Sequence, residues 1–462
     1  MHVIKGVESM VTPYERFNAV LNREDPIDRL PKFEIGAVTL PLVKEIMQYY
    51  KLPRFLREGL RSLNLIQEMV VYLKKFYLGI ESKQFRPKKI LKIFPKRLLT
   101  NFINLSRSEG NFEKIFQTIF RVPIKLGYDG WGIPEPLFLD FIGRKARRVN
   151  GEEGIVLADG KIWDIDINTA DMIEVELIYE DDTGDQMIKY YTNFMKSFDF
   201  ERFYGAMENA LNQKMGGSLL REQIVPVLFI RGLMSGWLHI FSLQRMRLLF
   251  KNVYKDYNLK EGIGNYGQYL KDRTKFLMTH VDYLAKLEIP AIFLGDDQAD
   301  THGPYFRPPI WKKIFKPLYS DLTKHAHSKR VKVVMHSDGR FKTNRPEDHD
   351  AEGWEFLDDC IIASGLDGWH SVEMKANNVY TLKEHIQDRL ALFGSIDTTW
   401  LQYYSPEKVR RLVYRHLKGF LKKGGLHSFI PGTDNSIISK TRIECWLSMI
   451  RTIDDFSAKY VK

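Results

Sequence analysis

The stretch GDDQADTHGPYFRPPIWKKIFKPLYSDLTKHAHSKRVKVVMHSDG, residues 295–339, decides the fold. It opens at the end of one apolar run, PAIFLGD (290–296), and closes on another, VKVVMHS (331–337). Between them, residues 308–329 start at a proline pair and carry a helical pattern, so the stretch reads as strand, helix, strand. Short, mainly apolar runs suit parallel strands covered on both faces, which a βα repeat supplies. Both runs end in residues with chemistry to offer: Asp296 and Asp297 on the first, His336 and Asp338 on the second. In a barrel of such units the C-terminal strand ends carry the site.

The same pattern repeats outward in both directions. Six further runs read as strands: PKFEIG (31–36), DGWGIP (129–134), VPVLFI (225–230), DGWHSVE (367–373), LALFGSI (390–396) and HSFIPGT (427–433). Eight in all predict a closed (β/α)₈ TIM barrel, an α/β fold, with residues 1–462 as one domain. An open doubly wound sheet is the alternative, but the first strand lacks the Gly-rich phosphate turn of that fold. An opening helix is signalled by Thr12 as cap, Pro13 at the first position and Glu15 completing a capping box. Another runs from Pro406 to the Gly424-Gly425 stop.

Two segments interrupt the alternation. Residues 151–180 read as a small antiparallel β-hairpin excursion turning at Asp159-Gly160. Residues 51–108 form a helical insertion, and 82–108 within it hold Lys83, Arg86, Lys88, Lys89, Lys92, Lys96, Arg97 and Arg107 after Glu81, with no acidic residue up to Ser108. A solvated basic face, a docking surface for an acidic protein, and an amphipathic contact with an anionic membrane surface are all open for it. Nucleic acid is not expected, since no recognised binding module accompanies the charge. The net charge of +11 points the same way, towards anionic partners. Two cysteines, Cys360 and Cys445, rule out a disulfide framework and fit a reducing, cytoplasmic setting. Neither a secretory h-region nor an apolar run long enough to span a bilayer is seen.

Four segments together resemble the uroporphyrinogen decarboxylase superfamily: TPYERFNAVLNREDPIDRLP at the start, the 295–339 block, LALFGSIDTTWL, and GGLHSFIPGTDNSI. The resemblance implies the barrel and a site at its C-terminal face. It does not imply decarboxylation. EIGAVTLPL replaces the arginine-rich loop that holds substrate carboxylates in true decarboxylases, and Gly132 stands where the resemblance places their catalytic aspartate. The corrinoid-dependent methyltransferase branch is the better match. It implies methyl transfer to or from a corrinoid (methylcobalamin or a corrinoid protein), with an unknown acceptor. A lyase of unknown substrate and a non-catalytic corrinoid- or protein-binding relative are the alternatives.

Thiol-using members of that branch hold zinc with His-x-Cys after the fifth strand and a cysteine after the eighth. Here those places read His336-Ser337-Asp338 and Thr433-Asp434-Asn435. A metal set of His336, Asp338 and Asp434 would be harder and easier to strip than a thiolate site. Tightly bound zinc is therefore not expected. His336, Asp338, Asp296 and Asp297 are the candidate catalytic residues. Glu34, Arg231, Glu373, Asp397 and Asp434, at other strand ends, are candidates for substrate binding, with ion pairing or turn capping as the competing account of each. Trp131, Trp237, Trp369 and His370 lie nearby as wall or core aromatics.

Overall fold

The computed structural model describes residues 11–35, 109–133, 144–147, 153–156, 161–165, 172–177, most of 192–234, 265–342, 353–435, 437 and 441–461. The basic insertion, Trp237 and the 157–160 turn lie outside these.

Eight parallel strands form one sheet in chain order: β1 Phe33–Glu34, β2 Gly130–Ile133, β3 Val225–Arg231, β4 Ala291–Gly295, β5 Lys332–His336, β6 Gly368–His370, β7 Ala391–Ile396 and β8 Phe429–Thr433. Each lies inside the run that predicts it or within one residue of it. The (β/α)₈ barrel is the fold. At the seam between first and last strands, Thr433 Oγ1 donates to Glu34 Oε1 at 2.5 Å and Thr433 N to Glu34 Oε2 at 3.4 Å.

Alternation along the strands sorts side chains to two sides. Phe33, Val225, Val227, Ala291, Phe293, Val334, Ala391, Phe393 and Ile430 form the inner core, packed on Phe17, Val20 and Leu21 of the opening helix. That helix, Pro13–Leu21, carries the capping box: Glu15 N donates to Thr12 Oγ1 at 3.2 Å and Thr12 N to Glu15 Oε2 at 2.7 Å. The opposite strand face packs on the helices. There Trp131 meets Tyr128 and Trp446, and Trp369 stacks on Phe341 at 4.2 Å. Both tryptophans belong to the helix-layer core.

Two expectations about local structure change. The 308–329 helix is two helices, Pro308–Ile314 and Lys316–Ser328. Pro317 has no N–H to continue the first ladder, and Phe315 becomes the cap of the second. The 151–180 excursion is larger than a hairpin: Arg144–Arg147, Glu153–Val156, Lys161–Ile165 and Met172–Leu177 make a four-stranded antiparallel sheet.

The end of the barrel opposite the site is held by Asp129, whose side chain is fully buried. Arg29 grips it with two nitrogens at 2.6 Å each, Arg16 Nη1 donates at 3.1 Å, and Lys32 N at 3.0 Å. Among the described residues no helix is long and apolar enough to cross a membrane.

Candidate functional site

The inner line of β4 runs Ala291, Phe293, Gly295 and on to Asp297. That of β5 runs Val334, His336 and on to Asp338. Gly295 leaves room for the Phe229 ring, which a Cβ there would meet at 2.8 Å. Phe229 in turn stands edge-on to His336 at 5.1 Å. His336 is thus held upright above the inner core. Adjacent strands in register bring Gly295, His336 and His370 side by side. The result is a cluster: one ligand atom each from Asp297, His336 and Asp338 lies within 4.8 Å of the others.

Asp338 is the most constrained member. Its backbone N donates to Asp297 Oδ1 at 3.0 Å, Ser371 Oγ donates to its Oδ1 at 2.6 Å, and Asn435 Nδ2 to its Oδ2 at 3.0 Å. His336 Nε2 faces Asp338 Oδ1 at 3.8 Å. Its Nδ1 shares a 2.7 Å hydrogen bond with Nδ1 of His370. Glu373 accepts from Gly339 N at 2.9 Å, beside this group. Burial, and then the carboxylates of Asp338 and Asp297, push its carboxyl above the usual range. Tyr305 stands over the same carboxylates, and burial followed by the charges of Asp297, Asp300 and Asp338 pushes its phenol up to about 12. At neutral pH it is an O–H donor at the rim.

The paired aspartates part company here. Asp297 follows the inner line into the cluster. Asp296 faces the helix layer, fully buried, and accepts from Leu233 N at 2.8 Å, Met234 N at 2.7 Å and the Tyr319 hydroxyl. Burial, outweighing these bonds, pushes its carboxyl up to about 7. A Cβ on Gly232 would meet the Asp296 carboxyl at 2.4 Å, so the loop after β3 is moulded on it. Asp296 shapes the wall of the site by holding that loop.

The other strand-end candidates divide similarly. Glu34 fastens the β1–β8 seam. Asp397 caps the helix Thr398–Tyr403, accepting from Thr399 N at 2.8 Å, and pairs with Lys375 at 3.3 Å. Asp434 accepts from Thr398 N at 3.0 Å, with its carboxyl pushed up to about 7 by burial first and then by Asp397 and Glu373. It is not among the three converging ligands: Asp297 takes the place expected of it beside His336 and Asp338. Arg231 ends β3, where its carbonyl accepts from Arg273 Nη2 at 2.5 Å. Neither cysteine reaches the cluster; Cys360 Sγ lies 3.9 Å from Pro308 O and Cys445 Sγ 3.1 Å from Tyr404 O.

One imidazole with two carboxylates suits an oxygen- and nitrogen-preferring divalent ion such as manganese or cobalt, and zinc only without its thiolate tightness. A sequence scan alone misses Ser371, Asn435 and Tyr305, because nothing in their local pattern differs from an ordinary loop. His370 carries a signal, as a polar residue on the inner line of a strand.

No protein-family profile matches the chain, and a comparison with curated protein sequences finds no match. Among solved structures, the chain is similar to a methyltransferase from Methanosarcina mazei, with a TM-score of 0.52 and 14% identity over 96% of this chain and 99% of that one. It is also similar to a B12-independent methionine synthase from Shewanella sp. W3-18-1, with a TM-score of 0.37 and 10% identity over 76% of this chain and 88% of that one. The first of these likenesses is one of fold alone, the barrel described above.

Proposed function

We propose that the protein is a methyltransferase that moves a methyl group between a corrinoid carrier and an acceptor bound at the C-terminal mouth of the barrel. The convergence of Asp297, His336 and Asp338 carries this reading. His336 and Asp338 are at two of the three places where the resemblance implies a metal ligand, Asp297 comes in from the fourth strand in place of Asp434, and the donor set fits a divalent cation. When bound, such an ion is a Lewis acid that polarises an acceptor oxygen or nitrogen. The lack of sulfur ligands favours that harder class of acceptor over a thiol.

The chain's own groups then have separable tasks. Ser371 and Asn435 fix both oxygens of Asp338, so the ligand cage forms without reorganisation. Glu373, with its proton affinity raised, takes the proton that the acceptor loses as it becomes nucleophilic. The Tyr305 hydroxyl donates to the acceptor from the rim. The loop that Asp296 holds keeps one wall of the mouth in place, so that acceptor and methyl donor meet in one orientation. A porphyrinogen decarboxylation finds no support: a Cβ on Gly132 would lie 2.1 Å from the Ile35 carbonyl oxygen, so this backbone leaves no room for the aspartate that chemistry uses.

The test is incubation of the metal-loaded protein with methylcobalamin and a panel of alcohol, amine and carboxylate acceptors, following the cobalamin absorbance. Demethylation that is lost in Asp297→Asn and His336→Ala is the expected result. Absence of both turnover and binding would remove the proposal, and binding without turnover would favour a non-catalytic corrinoid-binding relative.

A further inference from the structure

His336 has two ring nitrogens and two different neighbours. Nε2 faces the Asp338 carboxylate at 3.8 Å, too long for a hydrogen bond and open to an ion between them. Nδ1 meets Nδ1 of His370 at 2.7 Å, a distance that requires one proton between the two nitrogens. His370 is 1% exposed, and it is fixed from below by the inner core: Phe33 stands edge-on at 5.6 Å and Phe293 lies at 6.1 Å. The two imidazoles stack at 5.0 Å with 28° between their planes, because β5 and β6 place His336 and His370 directly opposite each other. His370 is thus packed in place with its Nδ1 turned to His336.

We propose that His370 is the positioning residue of the site: its Nδ1 accepts the Nδ1–H of His336, fixing the tautomer that leaves Nε2 unprotonated towards Asp297 and Asp338. This rests on the reading of those three residues as a cation site. A ligating imidazole commonly donates its second N–H to an outer partner that sets ring orientation. Here a second imidazole does so where a carboxylate or backbone carbonyl is usual. A neutral partner adds no negative charge to a mouth that already holds Asp297, Asp338 and Glu373. The fixed tautomer presents a lone pair towards a carboxylate, an arrangement relieved when a cation enters between them.

The first measurement needs no variant. With ¹⁵N-labelled histidine, the long-range ring correlations of the metal-free protein report each tautomer, and the His336 signal is identified by its loss in His336→Gln. His336 protonated on Nδ1 is expected; His336 protonated on Nε2 overturns the proposal. The second measurement is titration with Mn²⁺ of the wild type, His370→Phe and His370→Asn. Phenylalanine fills the space without an acceptor, whereas the asparagine amide oxygen falls near the position of Nδ1. Outer partners of this kind change metal affinity by about tenfold to a hundredfold, so His370→Phe should bind that much more weakly and His370→Asn should recover most of the loss. Equal Mn²⁺ affinity in wild type and His370→Phe overturns the proposal. No Mn²⁺ binding by the wild type sinks the cation site itself, and the tautomer of His336 then decides the role of His370 alone.

Discussion

Replacing Glu34 with glutamine should stabilise the protein at pH 8 and do so far less at pH 5. The carboxyl is fully buried in the β1–β8 seam and burial pushes it up to about 7 from its ordinary 4.5. The folded protein therefore holds a proton that the unfolded chain releases, and between those two values stability falls as pH rises. At about 1.4 kcal/mol per pH unit, the full gap corresponds to about 3 kcal/mol lost by pH 8 and about 1 kcal/mol at pH 5. Glutamine keeps an oxygen for the Thr433 hydroxyl and the Ile35 N–H, which Glu34 Oε1 accepts at 2.5 and 3.2 Å, but it has no charge to bury. Asp296, also pushed up to about 7, slopes the same way in both proteins and cancels in the difference; Asp434, whose charge reaches Glu34, titrates more easily once the Glu34 charge is gone, which adds to the gain at pH 8. Urea unfolding at half-unit steps from pH 5 to 8 reads this directly. Wild-type and Glu34→Gln curves that stay parallel across the range would refute the argument.

Three further outcomes are expected. Asp129→Ala removes the shared partner of Arg16 and Arg29 and leaves Lys32 N unsatisfied, costing about 3 kcal/mol in urea unfolding with little change in ligand binding at the far end; an unchanged midpoint would contradict it. Gly132→Ala should cost about 3 kcal/mol, since its methyl meets the Ile35 carbonyl oxygen at 2.1 Å, and a variant as stable as wild type would show that β1 yields freely. His336→Ala should abolish Mn²⁺ binding measured by calorimetry or electron paramagnetic resonance, whereas Asp434→Asn should retain it; loss in both would restore Asp434 to the ligand set.

The eight strands were legible because each is a short, mainly apolar or aromatic run, most of them ending in Gly or a polar residue, and runs of that kind have few other places in a βα chain. The site was legible only as far as the strand ends. Which of Asp296 and Asp297 faces inward depends on the alternation inherited from Phe293 and Gly295, and the sequence does not mark where the inner line begins. The contact of His336 with His370 depends on the register between β5 and β6, a relation between two segments that neither contains alone. Asp397 and Asp434 read as site residues because they end strands, yet their partners are the amides of Thr399 and Thr398, a capping use that single-sequence reading cannot separate from ligation. The break before Pro317 was visible as a proline, but prolines also begin helices, and here this one falls in the first turn of the second.

Gly132 has a consequence for how this barrel can change. The backbones of β1 and β2 approach so closely there that any side chain requires the end of β1 to withdraw, and Glu34 in that same end is clasped to Thr433 across the seam. Acquiring an acidic side chain at this position is thus not a single step but a coupled one: the seam must loosen before the residue can be tolerated, and loosening it alone brings no benefit. The close approach acts as a ratchet. A laboratory effort to place a carboxylate at Gly132 would have to rebuild the first strand and its clasp beforehand.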